Sequence, residues 1–239
     1  MIIIPARLNS SRFANKVLVD ILGTPMVIKT AQRVSELDDV LIASDSEEVL
    51  SLAKKYNIKS ILTSSKHNSG TDRINEATNI LGLSDDEIVV NVQADEPFIE
   101  PSVVQSVMQR LKETKNNKDI LLVSAYKKIP ANLAEDINHV KVVLDKDQNA
   151  LYFSRSKVPF YKDPYQDSTF NGHLGIYAFY KNNLNTFCAL EEAPLEKIEK
   201  LEQLRALYNA KKIAMVEVQS KSFGIDTKED LENALAIFG

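Results

Sequence analysis

Met1-Ile2-Ile3-Ile4-Pro5-Ala6-Arg7-Leu8-Asn9-Ser10-Ser11-Arg12-Phe13-Ala14-Asn15-Lys16 opens the chain. A short apolar run passes straight into a polar loop that carries Arg7, Arg12 and Lys16, with Asn9, Ser10 and Ser11 between them. An apolar run of this length bounded by a polar loop reads as a buried strand of a parallel sheet, covered on both faces. The loop then lies at the strand's carboxyl end, where open α/β sheets bind ligands. Three cations and small hydroxyl donors suit a polyphosphate. The loop has no glycine, so it is neither a Walker A loop nor a G-x-G-x-x-G fingerprint. It has to hold an anion mainly with side chains. A solvated basic turn is the plainer alternative, because exposed cations are common.

Working outward, the first half alternates strand and helix signals. Val40–Ser44, Lys59–Leu62 and Glu87–Gln93 read as strands, the last as the central one. Helical patterns run from Pro25 to Glu36, Ser46 to Tyr56, Thr71 to Leu81 and Pro101 to Leu111. Such alternation implies right-handed βαβ crossovers and a mostly parallel sheet with helices on both faces, a Rossmann-like α/β class. The second half changes character. Val140–Asp145 and Ala150–Ser154 flank the turn cluster Lys146-Asp147-Gln148-Asn149, a hairpin signal. Leu174–Tyr180 is an aromatic strand, and Tyr161–Thr169 reads as a loop. Helices are expected at Leu184–Leu190, Leu195–Ala210 and from Asp226-Thr227 to Ile237, with a strand at Ile213–Val218. The expected organisation is a single domain over 1–239 with a small antiparallel insert at about 125–180.

Composition narrows the class. A chain of 239 residues is long enough to bury a substantial core. Its formal charge of −4 argues against general nucleic-acid or membrane-surface binding, though not against a local basic pocket. The single cysteine, Cys188, excludes an internal disulfide and fits a reducing compartment. The opening apolar run is too short for a signal segment, and no stretch reaches transmembrane length, so a soluble cytoplasmic protein is expected.

Three further clusters fall where a parallel sheet would gather them. Asp95, in Gln93-Ala94-Asp95-Glu96-Pro97, follows the central strand. A carboxylate there is either a hard oxygen ligand for Mg²⁺ or a cap for the next helix. Asp226, in Phe223-Gly224-Ile225-Asp226-Thr227, reads alone as an N-cap. It gains a second reading as the partner of Asp95, since Mg²⁺ is held by one or two carboxylates plus substrate phosphates. Ser69-Gly70-Thr71-Asp72-Arg73 reads as a capped helix start. Its small residues would also let backbone N–H groups approach an anion, and Arg73 could reach one.

Taken together, these segments resemble one family. Ile4-Pro5-Ala6-Arg7 with Ser11-Arg12 and Lys16; His67–Arg73; Val90–Pro97; Leu151–Arg155; His173-Leu174-Gly175-Ile176-Tyr177; Leu195-Glu196 through Glu202-Gln203-Leu204-Arg205; and Gly224–Thr227 stand in the order found in 3-deoxy-manno-octulosonate (Kdo) cytidylyltransferases. The chain departs from the pattern at Ala94 and Asn15, where the family has glycine, and at Asp72, where it tends to glutamate. The resemblance implies a nucleotidyltransferase fold and CMP transfer from CTP to Kdo for lipopolysaccharide assembly, in a homodimer. It places Arg7, Arg12 and Lys16 on the triphosphate, as catalytic cations. Pro5, Ala6, Ser10, Ser11, Ser69, Gly70, Thr71 and Arg73 would line the nucleotide site, and Asp95 and Asp226 would hold catalytic Mg²⁺. Gln93, Arg155, His173, Tyr177, Glu202 and Gln203 would face the acidic sugar. Read without the resemblance, His173 and Tyr177 serve equally as packed core residues, while Arg155, just past a strand's end, suits a carboxylate. The alternatives are a cytidylyltransferase for another acidic sugar and a non-catalytic nucleotide-binding protein on the same fold.

Overall fold

The computed structural model describes residues 1–8, 13, 15–163 and 169–239. The chain forms two compact units, Met1–Gln105 with Ser220–Gly239, and Ser106–Gln219. The first unit begins with β1 (Ile2–Ala6), a short hairpin of β2 (Asp20–Ile21) and β3 (Thr24–Pro25), and α1 (Met26–Val34). It continues through β4 (Val40–Ser44), α2 (Glu47–Lys55), β5 (Lys59–Leu62), α3 (Gly70–Leu81), β6 (Ile88–Asn91) and the start of α4 (Pro101–Glu113). β1 lies parallel to both β4 and β6, and β4 lies parallel to β5. All five residues of β1 are buried.

The order β6-β1-β4-β5 holds the site's logic. From β1 the chain steps one way to β4 and β5, then returns to the other side of β1 for β6. This reversal leaves a crevice outside the carboxyl ends of β1 and β6. Residues 7–8 and 93–97 leave those two strands there. Pro5, with no N–H to give a ladder, sits beyond the last β6 pairing at Ile3.

In the second unit, β7 (Ile120–Pro130) and α5 (Ala131–Glu135) precede β8 (Lys141–Leu144), β9 (Ala150–Ser154) and β10 (Thr169–Tyr180). α6 (Lys181–Ala189), α7 (Pro194–Glu199), α8 (Leu204–Tyr208) and β11 (Lys212–Glu217) follow. β10 pairs antiparallel with β7 and β8, β8 with β9, and β11 runs parallel to β7. The hairpin expected around Lys146–Asn149 is β8–β9. The expected loop at Tyr161–Thr169 lies outside the described residues over 164–168.

The helix expected over Leu195–Ala210 is two helices. Lys200 adopts φ 54, ψ 48, which ends α7 and turns the chain so that Leu201 and Leu204 are both buried. The chain then returns to the first unit with α9 (Lys228–Phe238). Its cap is Thr227, whose hydroxyl accepts from the Asp230 N–H while the Asp230 carboxylate accepts from the Thr227 N–H. Asp226 is therefore not the cap. Among the described residues no helix is long and apolar enough to cross a membrane.

Candidate active site

In the first unit, two carboxylates far apart in sequence meet at one cation. Lys16 Nζ donates to Asp95 Oδ2 and to Asp226 Oδ1, each at 2.6 Å. Both oxygens are bound to the same nitrogen and so lie within about 5 Å of each other. The Lys16 side chain is 12% exposed. Burial pulls its pKa down, but the two carboxylates outweigh this and hold it above the usual lysine value.

The segment after β6 builds this meeting. Ile225 N–H donates to the Asp95 carbonyl at 2.9 Å. Glu100 accepts from the Ser220 hydroxyl and the Lys221 N–H, and Glu96 accepts from the Ser222 hydroxyl. Ile225 itself is fully buried with Ile21, Met26, Phe98 and Ala234, and Phe98 stacks on Phe238 at 4.5 Å. One side of residues 220–226 is thus tied by carboxylates and the other by packing, and Asp226 is left opposite Asp95. Glu96 and Glu100 are positioning residues that the sequence reading does not find; the signal was their four-residue spacing and the facing Ser220-Lys221-Ser222.

Lys16 follows Asn15, whose φ of 51 is left-handed. Asparagine is among the few side chains tolerated there, which explains why it can stand where the family has glycine. Ser10, Ser11 and Arg12 lie outside the described residues. Arg7 is exposed immediately past β1.

Across the crevice, Ser69 caps α3 by accepting from the Asp72 N–H and donates to the Asp72 carboxylate. A Cβ on Gly70 would stand 3.0 Å from Pro5 Cγ, so glycine lets the α3 N-terminus approach the end of β1 without displacing the proline ring. Thr71 is buried and its hydroxyl accepts from Asn91 Nδ2, while Asn91 Oδ1 accepts from Gln93 Nε2 at 3.0 Å. Gln93 Oε1 faces the α3 N-terminus, 3.9 Å from where a Cβ on Gly70 would stand. Arg73 is buried, and its guanidinium donates to Thr63 and Asp45.

The second unit gathers most of the residues assigned to the sugar. The ladder between β10 and β7 shifts register between Leu174 and Tyr177. Ser124 Oγ donates to the Ile176 carbonyl at 2.8 Å and lies 2.9 Å from His173 Nε2. A hydroxyl that gives its proton to a carbonyl accepts from the imidazole, which leaves Nδ1 of His173 as an acceptor. Burial pushes the His173 pKa down to about 3, so the ring is neutral at pH 7 and offers hydrogen bonds rather than charge. Tyr177 lies beside it, ring centroids 5.7 Å apart, and donates to Gln203 Oε1 at 3.1 Å. Burial, and then the charge of Glu202, hold the Tyr177 pKa well above its ordinary value. Gln203 is 2% exposed, yet its Nε2 has no hydrogen-bond partner among the described residues. A buried amide donor without a partner costs about 1–3 kcal/mol, which a ligand acceptor would recover.

Arg155 lies immediately past β9. Its guanidinium donates to the carbonyls of Glu199, Lys200 and Ile137, and the Glu199 carboxylate accepts from Ser154 and the Arg155 N–H. It ties the end of α7 to the 136–138 turn.

The depressed pKa of His173 carries a stability consequence. An unfolded histidine titrates near its ordinary value of 6.5. The neutral, half-buried ring therefore contributes fully above that pH, and its contribution is lost as pH falls toward about 3. His173→Gln is expected to flatten the acid limb of Tm against pH between 6.5 and 4; an unchanged slope would show that another group governs it.

Known proteins match this arrangement along its whole length. A model of the cytidylyltransferase family matches residues 1–213. The 3-deoxy-manno-octulosonate cytidylyltransferase of a Nitratiruptor species is 58% identical over 240 residues, covering 100% of this chain and 99% of that protein. The protein of the same name from Wolinella succinogenes is 50% identical over 242 residues, covering 100% and 99%. A solved structure of CMP:2-keto-3-deoxy-manno-octonic acid synthetase complexed with CTP matches with a TM-score of 0.90 and 34% identity, over 99% of this chain and 96% of that one. The α/β fold expected from the sequence is therefore the nucleotidyltransferase fold. The chain belongs to the cytidylyltransferase family, among the 3-deoxy-manno-octulosonate cytidylyltransferases.

Proposed function

We propose that this protein transfers CMP from CTP to the anomeric 2-hydroxyl of Kdo and releases pyrophosphate. The observation that carries the reading is the meeting of Asp95 and Asp226 at one cation position, at the carboxyl edge of a parallel sheet. Two close, hard oxygen donors fit Mg²⁺, which keeps its remaining positions for water and substrate phosphates. Among the described residues no group of three or more His, Cys, Asp or Glu gathers around a metal position, so this pair would act with water and substrate oxygens. When bound, such an ion supplies Lewis-acid polarisation of substrate oxygens and offsets phosphate charge.

The chain's own residues position the reactants. Lys16 and Arg7, with Arg12, neutralise the triphosphate and stabilise the charge that develops on departing pyrophosphate. Backbone donors at the α3 N-terminus, beside Pro5 and Ala6, receive the nucleotide, and Ser69 and Gly70 let that turn come close. In the second unit, neutral His173, Tyr177, Glu202 and Gln203, whose Nε2 has no partner among the described residues, are assigned to the sugar acid. Little covalent work falls to the protein; alignment of hydroxyl and α-phosphorus dominates. No side-chain general base is required in this scheme.

The reading extends to lipopolysaccharide assembly, a cytoplasmic location and a homodimer. Turnover with CTP and Kdo, compared with a nonulosonate such as sialic acid, tests the substrate. Kdo is expected to be preferred by at least about tenfold, the low end of what pocket contacts discriminate; equal or greater turnover with the nonulosonate would reassign the sugar.

A further inference from the structure

Lys16 stands where an ion would stand. Its ammonium touches both carboxylates at 2.6 Å, and its side chain is 12% exposed. Two carboxylates this close repel each other when both are charged, and partial burial strengthens the repulsion. The ammonium removes it. A divalent cation bound to the same oxygens sits about 2.0–2.1 Å from them. An ammonium and such an ion therefore exclude each other. Evicting Lys16 alone breaks two charge-assisted hydrogen bonds and returns a cation to water. A triphosphate changes that balance, because it gives the same ammonium new anionic partners. The four-carbon lysine stem has the freedom for such a move, whereas its backbone is held: Lys16 N–H donates to the Phe13 carbonyl, and Leu18 N–H to the Asn15 carbonyl.

We propose that Lys16 is a built-in counter-ion that holds the Asp95–Asp226 pair in the nucleotide-free protein and makes divalent-cation binding conditional on the triphosphate that draws the lysine away. The inference rests on the reading that these two aspartates hold the ion. It gives Lys16 two stations, the carboxylates before the nucleotide binds and the phosphates after.

The test is Mn²⁺ binding by the full chain, followed by electron paramagnetic resonance of the free ion, with no sugar present. The wild-type protein is expected to bind Mn²⁺ weakly alone. Lys16→Met is expected to bind Mn²⁺ alone at least about tenfold more tightly, because a competing charge has gone. The added substitution Asp95→Asn should abolish that gain. Equal or weaker binding by Lys16→Met overturns the counter-ion role, and points to a purely structural lysine. If Asp95→Asn instead leaves Mn²⁺ binding unchanged both with and without CTP, the metal reading itself fails. Should Lys16→Met be unstable without metal, Mg²⁺ is expected to restore its Tm while barely moving that of the wild type; failure of this rescue counts against the proposal equally.

Discussion

Asp95→Asn is expected to reduce turnover by roughly 10²–10³-fold, the scale of losing one contact made chiefly in the transition state. The fold should survive. The Asp95 carbonyl, which accepts from Ile225, is untouched, and Lys16 keeps Asp226. The amide retains the shape of the carboxylate but not its charge, so the loss should appear mainly in kcat and should resist added Kdo. Circular dichroism and a thermal melt would establish folding alongside the kinetics. Activity within a few-fold of the wild type would remove Asp95 from the chemistry.

The largest expected effect on stability lies in the second unit. Arg205 donates to Glu196 through Nε at 3.0 Å and Nη2 at 2.7 Å, and both residues are buried. The guanidinium also lies 5.1 Å from the Phe187 ring centre, and Glu196 accepts from the Ala193 N–H that opens α7. This pair clasps α7 to α8 and so fixes the turn that bears Glu202 and Gln203. Arg205→Met strands the Glu196 carboxylate, at a cost of about 3–5 kcal/mol. For a chain of this size the melting temperature should fall by roughly 10 °C. Combining it with Glu196→Leu should recover part of the loss, since no charge then remains buried without its partner. A double variant no more stable than Arg205→Met would mean that packing of the arginine stem, rather than the ion pair, was lost.

The two halves of the chain were not equally legible. The parallel sheet of the first unit followed from short apolar runs alternating with helical spacing, and β4 and β5 fall where that pattern puts them. β7 escaped because Ile120–Tyr126 is buried at every position and shows no alternation. The break between α7 and α8 escaped because Lys200, not a glycine, takes the left-handed turn. Asp226 looked like a cap only because the true capping box starts one residue later, at Thr227 with Asp230. Read strictly, that motif would have moved Asp226 out of the cap position. Lys16 was legible as a cation but not as the partner of both aspartates. No spacing in one sequence relates positions 16, 95 and 226. What joins them is the reversal of strand order at β1 and β6, together with the carboxylate-held segment 220–226. Arg155 shows the converse: a guanidinium after a strand signals an anion, yet its carbonyl partners come from distant turns that sequence spacing does not reveal.

Release of pyrophosphate tests the central claim most directly. It should be measured with each of CTP, UTP, ATP and GTP, with and without Kdo, and with and without Mg²⁺. The account predicts release only when CTP, Kdo and the divalent ion are together, with CMP-Kdo formed in equal amount. Release that needs no sugar, that proceeds undiminished in a chelator, or that follows another nucleotide in preference to CTP would contradict it.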